Sequence, residues 1–353
     1  MNTVDDLTER ELIARIQARL PPPPDWLLVG IGDDAAVVEP ERNRLDVLSV
    51  DALVEGIHFD RRFTPAAAIG HRALAVNLSD LAAMGAAPRL ALLSFALPAS
   101  LSCGDFDAMV DGIAALAVHH RLHVAGGNLT RSPGPLMIDI TIVGSAKRRQ
   151  VLTRRGARSG DDVYVSGSLG GAAAGLQMLR SRTSTTTTAT DTNGGYGLKP
   201  NEKVVEACVQ RYLYPDPRVR LGLLLGRNRA ASACMDLSDG LGDGVTQIAA
   251  ASGVGMTIEA SVLPIDACAR EWFSAHGGDA VTAALTGGDD YELLFTVRPR
   301  QRGRLRAASR HSGVPLTRIG VCTSDRALLL RYDSDGSWTD TPIPGGFSHF
   351  SKT

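Results

Sequence analysis

Lysine, cysteine and long apolar runs are scarce in this chain of 353 residues. Only four lysines occur, and none completes a GxxxxGKS or GxxxxGKT pattern, which excludes a P-loop nucleotide site. The five cysteines lie far apart without a CxxC pair, which predicts reduced thiols in a cytoplasmic protein. No apolar run reaches the roughly 18 residues of a membrane helix, and acidic residues near the first methionine predict no export signal.

The charges are almost balanced. The 38 acidic and 37 basic residues leave a formal net charge of -1, which argues against a nucleic-acid partner bound through bulk charge. The chain is 44% hydrophobic and 21% charged, as in ordinary folded proteins. At roughly 150 residues per domain, the length predicts two domains.

The first 145 residues or so mix helices with antiparallel strands, which is an α+β pattern. Apolar residues recur at nearly helical spacing over 5–19, and the following prolines end that helix. Two short β-branched runs, 35–38 and 45–50, predict a hairpin with its turn at 41–44. Further helices are predicted over 65–85 and 104–120, and further strands over 90–97 and 137–143.

The basic segment 147–150 marks a change in pattern, and we expect domains at 1–148 and 149–353. The second half alternates strands with glycine turns and helices, which predicts an α/β domain. Its predicted strands are 162–166, 233–237, 256–258, 292–297 and 316–321, and its predicted helices include 172–179 and 241–251. Segment 181–197 is of low complexity, and we expect a mobile surface insert there.

The positions of the acidic residues are more informative than their number. Asp34 follows a glycine-rich turn, and the predicted hairpin places it opposite Ser49, with Asp51 at the same end. Antiparallel partners lie about 4.5–5.5 Å apart, and carboxylates that close repel each other unless a cation or a proton neutralises them.

Three further acidic segments resemble this arrangement. Asp80 lies within an otherwise apolar stretch, Asp236 and Asp239 flank a strand-to-helix turn, and Asp289 follows two glycines. Each has a simpler interpretation, since Ser and Asp often cap helices and Gly-Asp-Asp is often a solvated turn. An acid among leucines and alanines nevertheless needs a partner. Together, the four segments predict a Mg²⁺ site that handles phosphate, whereas zinc is not expected because no His or Cys accompanies them.

Glycine-rich segments complement the acidic ones. Gly126-Gly127-Asn128 follows a short apolar run, and 167–171 opens a helix after a strand, where backbone N–H groups can meet phosphate. Arg154 is a candidate phosphate clamp, although most arginines of such an arginine-rich chain are surface residues.

These motifs, in this order, resemble those of the thiamine-monophosphate kinase family. The resemblance covers nearly the whole chain outside the insert. It rests on the segments GIGDDAAVV, SVDALVEGIHF, HRALAVNLSDLAAMGAAP, GGNLTRSPG, VLTRRGARSGDDVYVSGSLGGAAAGL, DLSDGL, LTGGDDYELLFTV and GGFSHF.

The resemblance implies a two-domain α/β fold like that of aminoimidazole ribonucleotide synthetase. It implies an N-terminal mixed-sheet domain that forms a homodimer and a C-terminal α/β domain. It also implies transfer of the ATP γ-phosphoryl group to thiamine monophosphate, assisted by several Mg²⁺ ions. The acceptor is itself a phosphate, so no covalent nucleophile or strong base is expected. No nucleic-acid or membrane partner is expected.

The resemblance also assigns roles to residues at matching motif positions. Phe347 would stack on a thiamine ring. Implied metal ligands are Asp34, Ser49, Val50, Asp51, Asp80, Asn128, Asp236 and Asp239; implied nucleotide contacts are Gly127, Asn128, Arg154 and Ser238; implied substrate contacts are His58, Asp289 and Phe347.

The chain departs from the family pattern at two of these positions. Asn128 stands where the family usually has Asp, which predicts weaker binding of one Mg²⁺ with activity retained. Val50 stands where a hydroxyl residue is common, which leaves backbone coordination possible.

Two alternatives remain at this point. The first is another ATP-using enzyme of the same superfamily. A selenophosphate synthetase would need a Cys or selenocysteine before the acidic hairpin, and a hydrogenase maturation factor would need a cysteine at its C-terminal end; neither is present in the sequence. The second alternative is a thiamine-phosphate or nucleotide binding protein without turnover.

Overall fold

A computed structural model describes residues 2–185, 202–334 and 337–347. The chain divides into two compact units, one of 1–81 with 86–148 and one of 82–85 with 149–353. In the part of the chain that is described, every helix is too short or too polar to cross a bilayer. The part of the expected insert at 186–197 lies outside the described residues.

The first unit is built on a four-stranded sheet. Its helices are α1 (Glu9–Gln17), α2 (Ala66–Ala83) and α3 (Cys103–His119), and its strands are β1 (Leu27–Val29), β2 (Val37–Val38), β3 (Leu45–Val54), β4 (Ala87–Pro98), β5 (His123–Ser132) and β6 (Met137–Ala146). The main sheet has the order β3-β6-β4-β5, and β1 pairs separately with β2.

One face of this sheet carries the core of the unit. Isoleucines 138, 140 and 142 alternate with more exposed residues along β6, and all three are buried. This alternation confirms the strand predicted from the sequence. Phe95 of β4 meets Phe106 of α3 edge to face with ring centroids 5.8 Å apart, so α3 covers the inner face.

The hairpin predicted between 35–38 and 45–50 is wrong. β2 pairs with β1, whereas β3 pairs with β6 over its full length of ten residues. Long-range burial decides this pairing, because Leu27 of β1 packs with Leu90 and Ala125 in one buried cluster, against which Val38 also packs. Asp34 and Ser49 are therefore not cross-strand partners.

The helix predicted over 5–19 forms, but over the shorter span Glu9–Gln17. A 3-10 turn at Val4–Asp6 comes first, and α1 then starts after Thr8. The Thr8 hydroxyl accepts from the Glu11 N–H at 3.3 Å, and the Glu11 carboxylate accepts from the Thr8 N–H at 2.7 Å. This capping box satisfies N–H groups at a helix start and so fixes the boundary.

The second unit is built on a seven-stranded mixed sheet. Its strands are β7 (Asp162–Ser166), β8 (Ala233–Asp236), β9 (Gly255–Glu259), β10 (Leu293–Val297), β11 (Leu316–Thr323), β12 (Leu328–Ser334) and β13 (Ser337–Pro342). Its helices are α4 (Gly171–Thr185), α5 (Glu202–Leu213), α6 (Val219–Asn228), α7 (Leu241–Ser252), α8 (Ala267–Ala275), α9 (Ala280–Thr286) and α10 (Arg302–Ser312). The sheet order is β13-β12-β9-β11-β7-β10-β8. Helix α4 runs five residues into the segment expected to be a mobile insert, since 181–185 are helical.

Two of the cysteines are joined, contrary to the expectation of reduced thiols. Cys208 of α5 and Cys268 of α8 form a disulfide with a Cα–Cα distance of 6.0 Å, while Cys103, Cys234 and Cys322 are free and buried. The two cysteines are 60 residues apart, so no local spacing announces the pair. They meet because α5 and α8 pack against each other.

Candidate functional site

The first unit brings two of the expected ligands together on the inner face of its sheet. The Ser49 hydroxyl of β3 donates a hydrogen bond to the Asp80 carboxylate of α2. Asp80 is half-buried between fully buried leucines, Leu78 and Leu81, and Ser49 is the partner that an acid in this position requires.

Asp51 lies on the same face as Ser49, because side chains alternate along a strand. It is half-buried, and it pairs across the strands with Ile140 of β6. Val50 points to the opposite face and is 57% exposed, so it offers only backbone atoms to the inner face.

Gly127 and Asn128 lie within strand β5. The register between β4 and β5 shifts beside them, and a β-carbon on Gly127 would lie 1.9 Å from the Leu93 carbonyl oxygen. Glycine at 127 is therefore required by close strand packing. Asn128 pairs in register with Ser94, which in turn pairs with Asp139. Because Asp139 alternates with the buried isoleucines of β6, the side chain of Asn128 lies on the outer face of the sheet.

Asp34 lies in a bend between β1 and β2, where it is exposed. Its backbone N–H is bound by the Asp33 carboxylate at 2.9 Å. At the far end of β3, the Nδ1 atom of His58 accepts a hydrogen bond from the Val54 N–H at 3.0 Å, which fixes the orientation of this half-buried ring.

The second unit brings three segments with expected site residues together. Residues 236–240 form a turn after β8, called here the DLSDG turn. Its first residue, Asp236, ends the strand and is 5% exposed. The Asp289 N–H donates to the Ser238 carbonyl at 2.8 Å, and the Phe347 N–H donates to the Asp239 carbonyl at 3.0 Å. Asp236, Ser238, Asp239, Asp289 and Phe347 thus lie in one neighbourhood, although the sequence separates them by up to 111 positions.

The backbone is strained in the GGDDY turn, which comprises residues 287–291. Asp289 and Tyr291 both adopt positive φ angles, 70° and 48°, which side-chain-bearing residues seldom do. The Tyr291 hydroxyl donates to the Asp289 carboxylate at 3.0 Å, and the Tyr291 N–H donates to the Leu237 carbonyl at 3.0 Å. Strained backbone held in this way is common at ligand sites.

Arg154 lies near the start of the second unit and is exposed. Its guanidinium donates to the Gln247 side chain of α7, and Gln247 donates to Asp243 at 2.7 Å. These contacts place Arg154 along α7, the helix that follows the DLSDG turn.

Sequence reasoning missed Asp290. Its carboxylate accepts N–H groups of Gly170 and Ala172, at 2.7 and 3.3 Å, where α4 begins. Burial raises the pKa of Asp290 from 3.8 to about 7, against the opposing effects of Arg211 and these N–H groups. The GGDDY motif drew attention to the segment but did not distinguish an acid that faces the protein interior from its neighbour.

Glu292 was also missed. It is 0% exposed and holds an ion pair with Arg218, whose Nη2 lies 2.6 Å from Oε1. Glu292 looked like part of a strand, and no local pattern connects it with an arginine 74 positions away.

The potential metal ligands differ in how closely they gather. Within the described ranges, the Cys208, Asp266 and Cys268 ligand atoms form a group within 4.8 Å, and the expected aspartates form no such trio. The disulfide already uses both of these sulfurs. Oxygen ligands on Ser49, Asp51 and Asp80, and on Asp236 and Asp239, are of the type that Mg²⁺ prefers.

Residues 32–146 match the N-terminal domain model of AIR synthase related proteins, and 158–333 match the C-terminal one. The thiamine-monophosphate kinase of Escherichia coli (strain K12) is 39% identical over 326 residues, which cover 92% of each chain. That of Bacillus subtilis (strain 168) is 32% identical and covers 91% of this chain and 93% of its own. The chain belongs to the thiamine-monophosphate kinase family.

Solved structures of this family have the same fold. The thiamine-monophosphate kinase from Stenotrophomonas maltophilia K279a is 40% identical with a TM-score of 0.77, over 94% of this chain and 98% of its own. AaThiL complexed with AMPPCP and TMP is 30% identical with a TM-score of 0.72, over 99% of both chains. Escherichia coli HypE, a hydrogenase maturation protein, has a TM-score of 0.72 at 21% identity over 96% of this chain and 97% of its own, which shows the fold alone.

Proposed function

We propose that the chain phosphorylates thiamine monophosphate with ATP, yielding thiamine diphosphate and ADP. The observation that carries this proposal is the meeting of the DLSDG turn, the GGDDY turn and Phe347 in one neighbourhood of the second unit. Family membership supports it, as does the 30% identical structure that holds TMP with AMPPCP, a non-hydrolysable ATP analogue.

Each unit, taken by itself, contains proposed Mg²⁺ ligands. Ser49, Asp51 and Asp80 supply oxygens on the inner face of the first sheet, and Asp236 and Asp239 supply carboxylates beside the DLSDG turn. Asp34, the Val50 backbone and Asn128 complete the set that the family motifs suggest. Bound Mg²⁺ would neutralise phosphate charge and so offset the repulsion between the two polyanions.

The remaining proposed roles concern the substrates. The backbone around Gly127 and Asn128, the Arg154 guanidinium and the Ser238 hydroxyl would contact the nucleotide. His58, Asp289 and Phe347 would contact thiamine monophosphate. About half of the Phe347 surface is exposed to solvent, where an aromatic ligand would reach the ring. We propose no covalent nucleophile, because the acceptor phosphate is itself a competent nucleophile.

The loss of charge at Asn128 gives a test of that position. Asn128→Asp restores a carboxylate, and we expect half-maximal activity at a lower Mg²⁺ concentration with an unchanged maximal rate. Titration of the initial rate with MgCl₂ at fixed ATP measures this shift, and Asn43→Asp, in the exposed turn before β3, is the control. If both variants have the wild-type Mg²⁺ dependence, Asn128 is not a ligand.

We also propose that the protein is a cytoplasmic homodimer. The outer face of the four-stranded sheet exposes Leu48, Val50, Leu92 and Met137, the first of them by 68%. Adjacent large apolar residues on one sheet face are typical of an interface between subunits. This face is continuous across β3, β6 and β4, which fits the same face of a second copy.

Light scattering tests the dimer. We expect wild-type protein to have twice the chain mass, and the double variant Leu48→Asp/Leu92→Asp to have the mass of one chain, because buried carboxylates without partners are costly. Leu28→Asp is the control, since Leu28 is 59% exposed on the separate β1–β2 ribbon. A wild-type protein of single-chain mass would contradict the proposal.

The reaction itself is tested by incubating the purified chain with ATP, MgCl₂ and thiamine monophosphate and separating the products by chromatography. We expect thiamine diphosphate and ADP in equal amounts, and none without ATP. Binding of both ligands without product would instead favour a binding protein without turnover.

A further inference from the structure

The buried carboxylate of Glu292 accepts hydrogen bonds from three side chains. Arg218 binds it through two nitrogens, Nε to Oε2 at 2.7 Å and Nη2 to Oε1 at 2.6 Å. The Ser166 hydroxyl donates to Oε2 at 2.6 Å, and Arg211 approaches Oε1 at 3.4 Å. With both oxygens held in this way, the side chain has no freedom to rotate.

Glu292 also joins the two turns of the candidate site through its backbone. Its carbonyl accepts the Leu237 N–H at 2.8 Å, and Leu237 belongs to the DLSDG turn. Two residues earlier in the GGDDY turn, Asp290 holds the start of α4 through the Gly170 N–H at 2.7 Å. The segment 289–292 is therefore a bridge between the DLSDG turn and the glycine-rich turn before α4.

The glycine-rich turn is shaped around the same carboxylate. A β-carbon at Gly167 would lie 2.0 Å from Glu292 Oε1, and Gly167 has a φ of +59°. Arg211 donates to the Ser168 carbonyl at 2.7 Å, so this arginine contacts both the turn and Glu292. The turn thus takes its position from the ion pair.

We propose that Glu292 and Arg218 are positioning residues for the kinase reaction, an inference that rests on the proposed function. They hold Asp289 and the Asp236–Asp239 turn in their working geometry without touching the substrates. A buried ion pair is a poor device for stability alone, because its desolvation offsets most of its attraction. Its role here is geometric, because two hydrogen bonds from one guanidinium to one carboxylate fix the orientation of the two groups as well as their distance.

The chain offers a matched control at the other end of strand β7. Asp162 is as buried as Glu292 to within a few per cent, and it pairs with Arg302 at 2.7 Å and Arg318 at 2.9 Å. Ser166, which binds Glu292, ends the same strand. Removing either acid takes a buried carboxylate away from its arginine partners, which are more exposed at Asp162 than at Glu292. Of the two acids, only Glu292 touches the DLSDG turn.

Two variants, Glu292→Gln and Asp162→Asn, separate positioning from stability. Both are expected to lower the urea midpoint. We expect only Glu292→Gln to lower kcat/KM for thiamine monophosphate, on the order of tenfold to a hundredfold at a temperature where each variant is folded, because small misplacements of reacting groups cost that much. Arg218→Lys in the wild-type chain should also lower kcat/KM for thiamine monophosphate, since an ammonium cannot bind both oxygens in the plane of the carboxylate.

Hydrogen exchange supplies a readout that does not depend on activity. We expect Glu292→Gln, unlike Asp162→Asn, to speed amide exchange in peptides that contain Leu237, Asp289 and Tyr291. If the two variants have equal effects on exchange and on kcat/KM, Glu292 is merely structural and the inference is wrong. If the wild-type chain makes no thiamine diphosphate, the proposed reaction fails, and the exchange result still decides whether Glu292 orders these turns.

Discussion

The proton on Asp290 makes stability depend on pH in a direction unusual for an aspartate. Its pKa is raised from 3.8 to about 7, mainly by burial, although two N–H groups and Arg211 favour its charged form. In the unfolded chain the same carboxyl ionises near its ordinary value. Between these two values the folded protein keeps a proton that the unfolded chain releases.

The sign of the effect follows from this difference. The stabilising contribution is complete below pH 4 or so, and it is lost as the pH rises through the folded pKa of about 7. Each pH unit within that window changes the free energy of unfolding by about 1.4 kcal/mol, so the full contribution is about 4 kcal/mol. Between pH 5 and pH 8 the loss is about 3 kcal/mol.

Urea unfolding of wild type and Asp290→Asn at several pH values from 5 to 8 tests this reasoning. As the pH rises from 5 to 8, the unfolding free energy of the wild type should fall by about 3 kcal/mol relative to that of Asp290→Asn, because asparagine does not titrate. Asp279→Asn is the control: the pKa of Asp279 is lowered by hydrogen bonds from Thr282 and Val281, which outweigh the opposing burial. Its difference from wild type should stay constant above pH 5, since its stabilising contribution is lost only in acid. A difference for Asp290→Asn that also stays constant from pH 5 to 8 would refute the reasoning.

Two further predictions concern close packing and the disulfide. Gly127→Ala should destabilise the protein by about 2 kcal/mol or more, because its β-carbon would lie 1.9 Å from the Leu93 carbonyl oxygen, whereas Gly134→Ala, with open space around it, should change stability by less than about 0.5 kcal/mol; equal urea midpoints for the two variants would contradict this. Reduction of the Cys208–Cys268 bond should lower the free energy of unfolding by about 4 kcal/mol, since it opens a loop of 60 residues. Melting with and without dithiothreitol measures this loss, and a double alanine variant that still responds to the reductant would contradict it.

Local patterns predicted much of the fold. The alternation of Ile138, Ile140 and Ile142 gave strand β6, and apolar spacing gave helices α2 and α3 to within two residues at each end. Strand pairing could not be read in the same way. The segment at 35–38 could pair with any nearby strand, and the burial of Leu27 with Leu90, far along the chain, selected β1.

The candidate site was predictable where a residue had a local peculiarity. Asp80 stands among leucines and so needed a partner, which Ser49 supplies. The shared acidic pattern predicted that the DLSDG and GGDDY turns meet. The backbone hydrogen bonds that join them, such as that from Asp289 to Ser238, were not predictable because they have no side-chain signature. The Glu292–Arg218 pair was not predictable either, because neither residue has an unusual local sequence pattern.

We infer that this chain uses its acidic residues to transfer phosphate from ATP to thiamine monophosphate. The most direct measurement follows thiamine diphosphate formation by the wild type, by Asp80→Asn and by Asp25→Asn, a change at an exposed position. We expect ATP- and Mg²⁺-dependent product from the wild type and Asp25→Asn, and a rate at least about a hundredfold lower from Asp80→Asn. Full activity of folded Asp80→Asn, or no product from the wild type, would contradict the account.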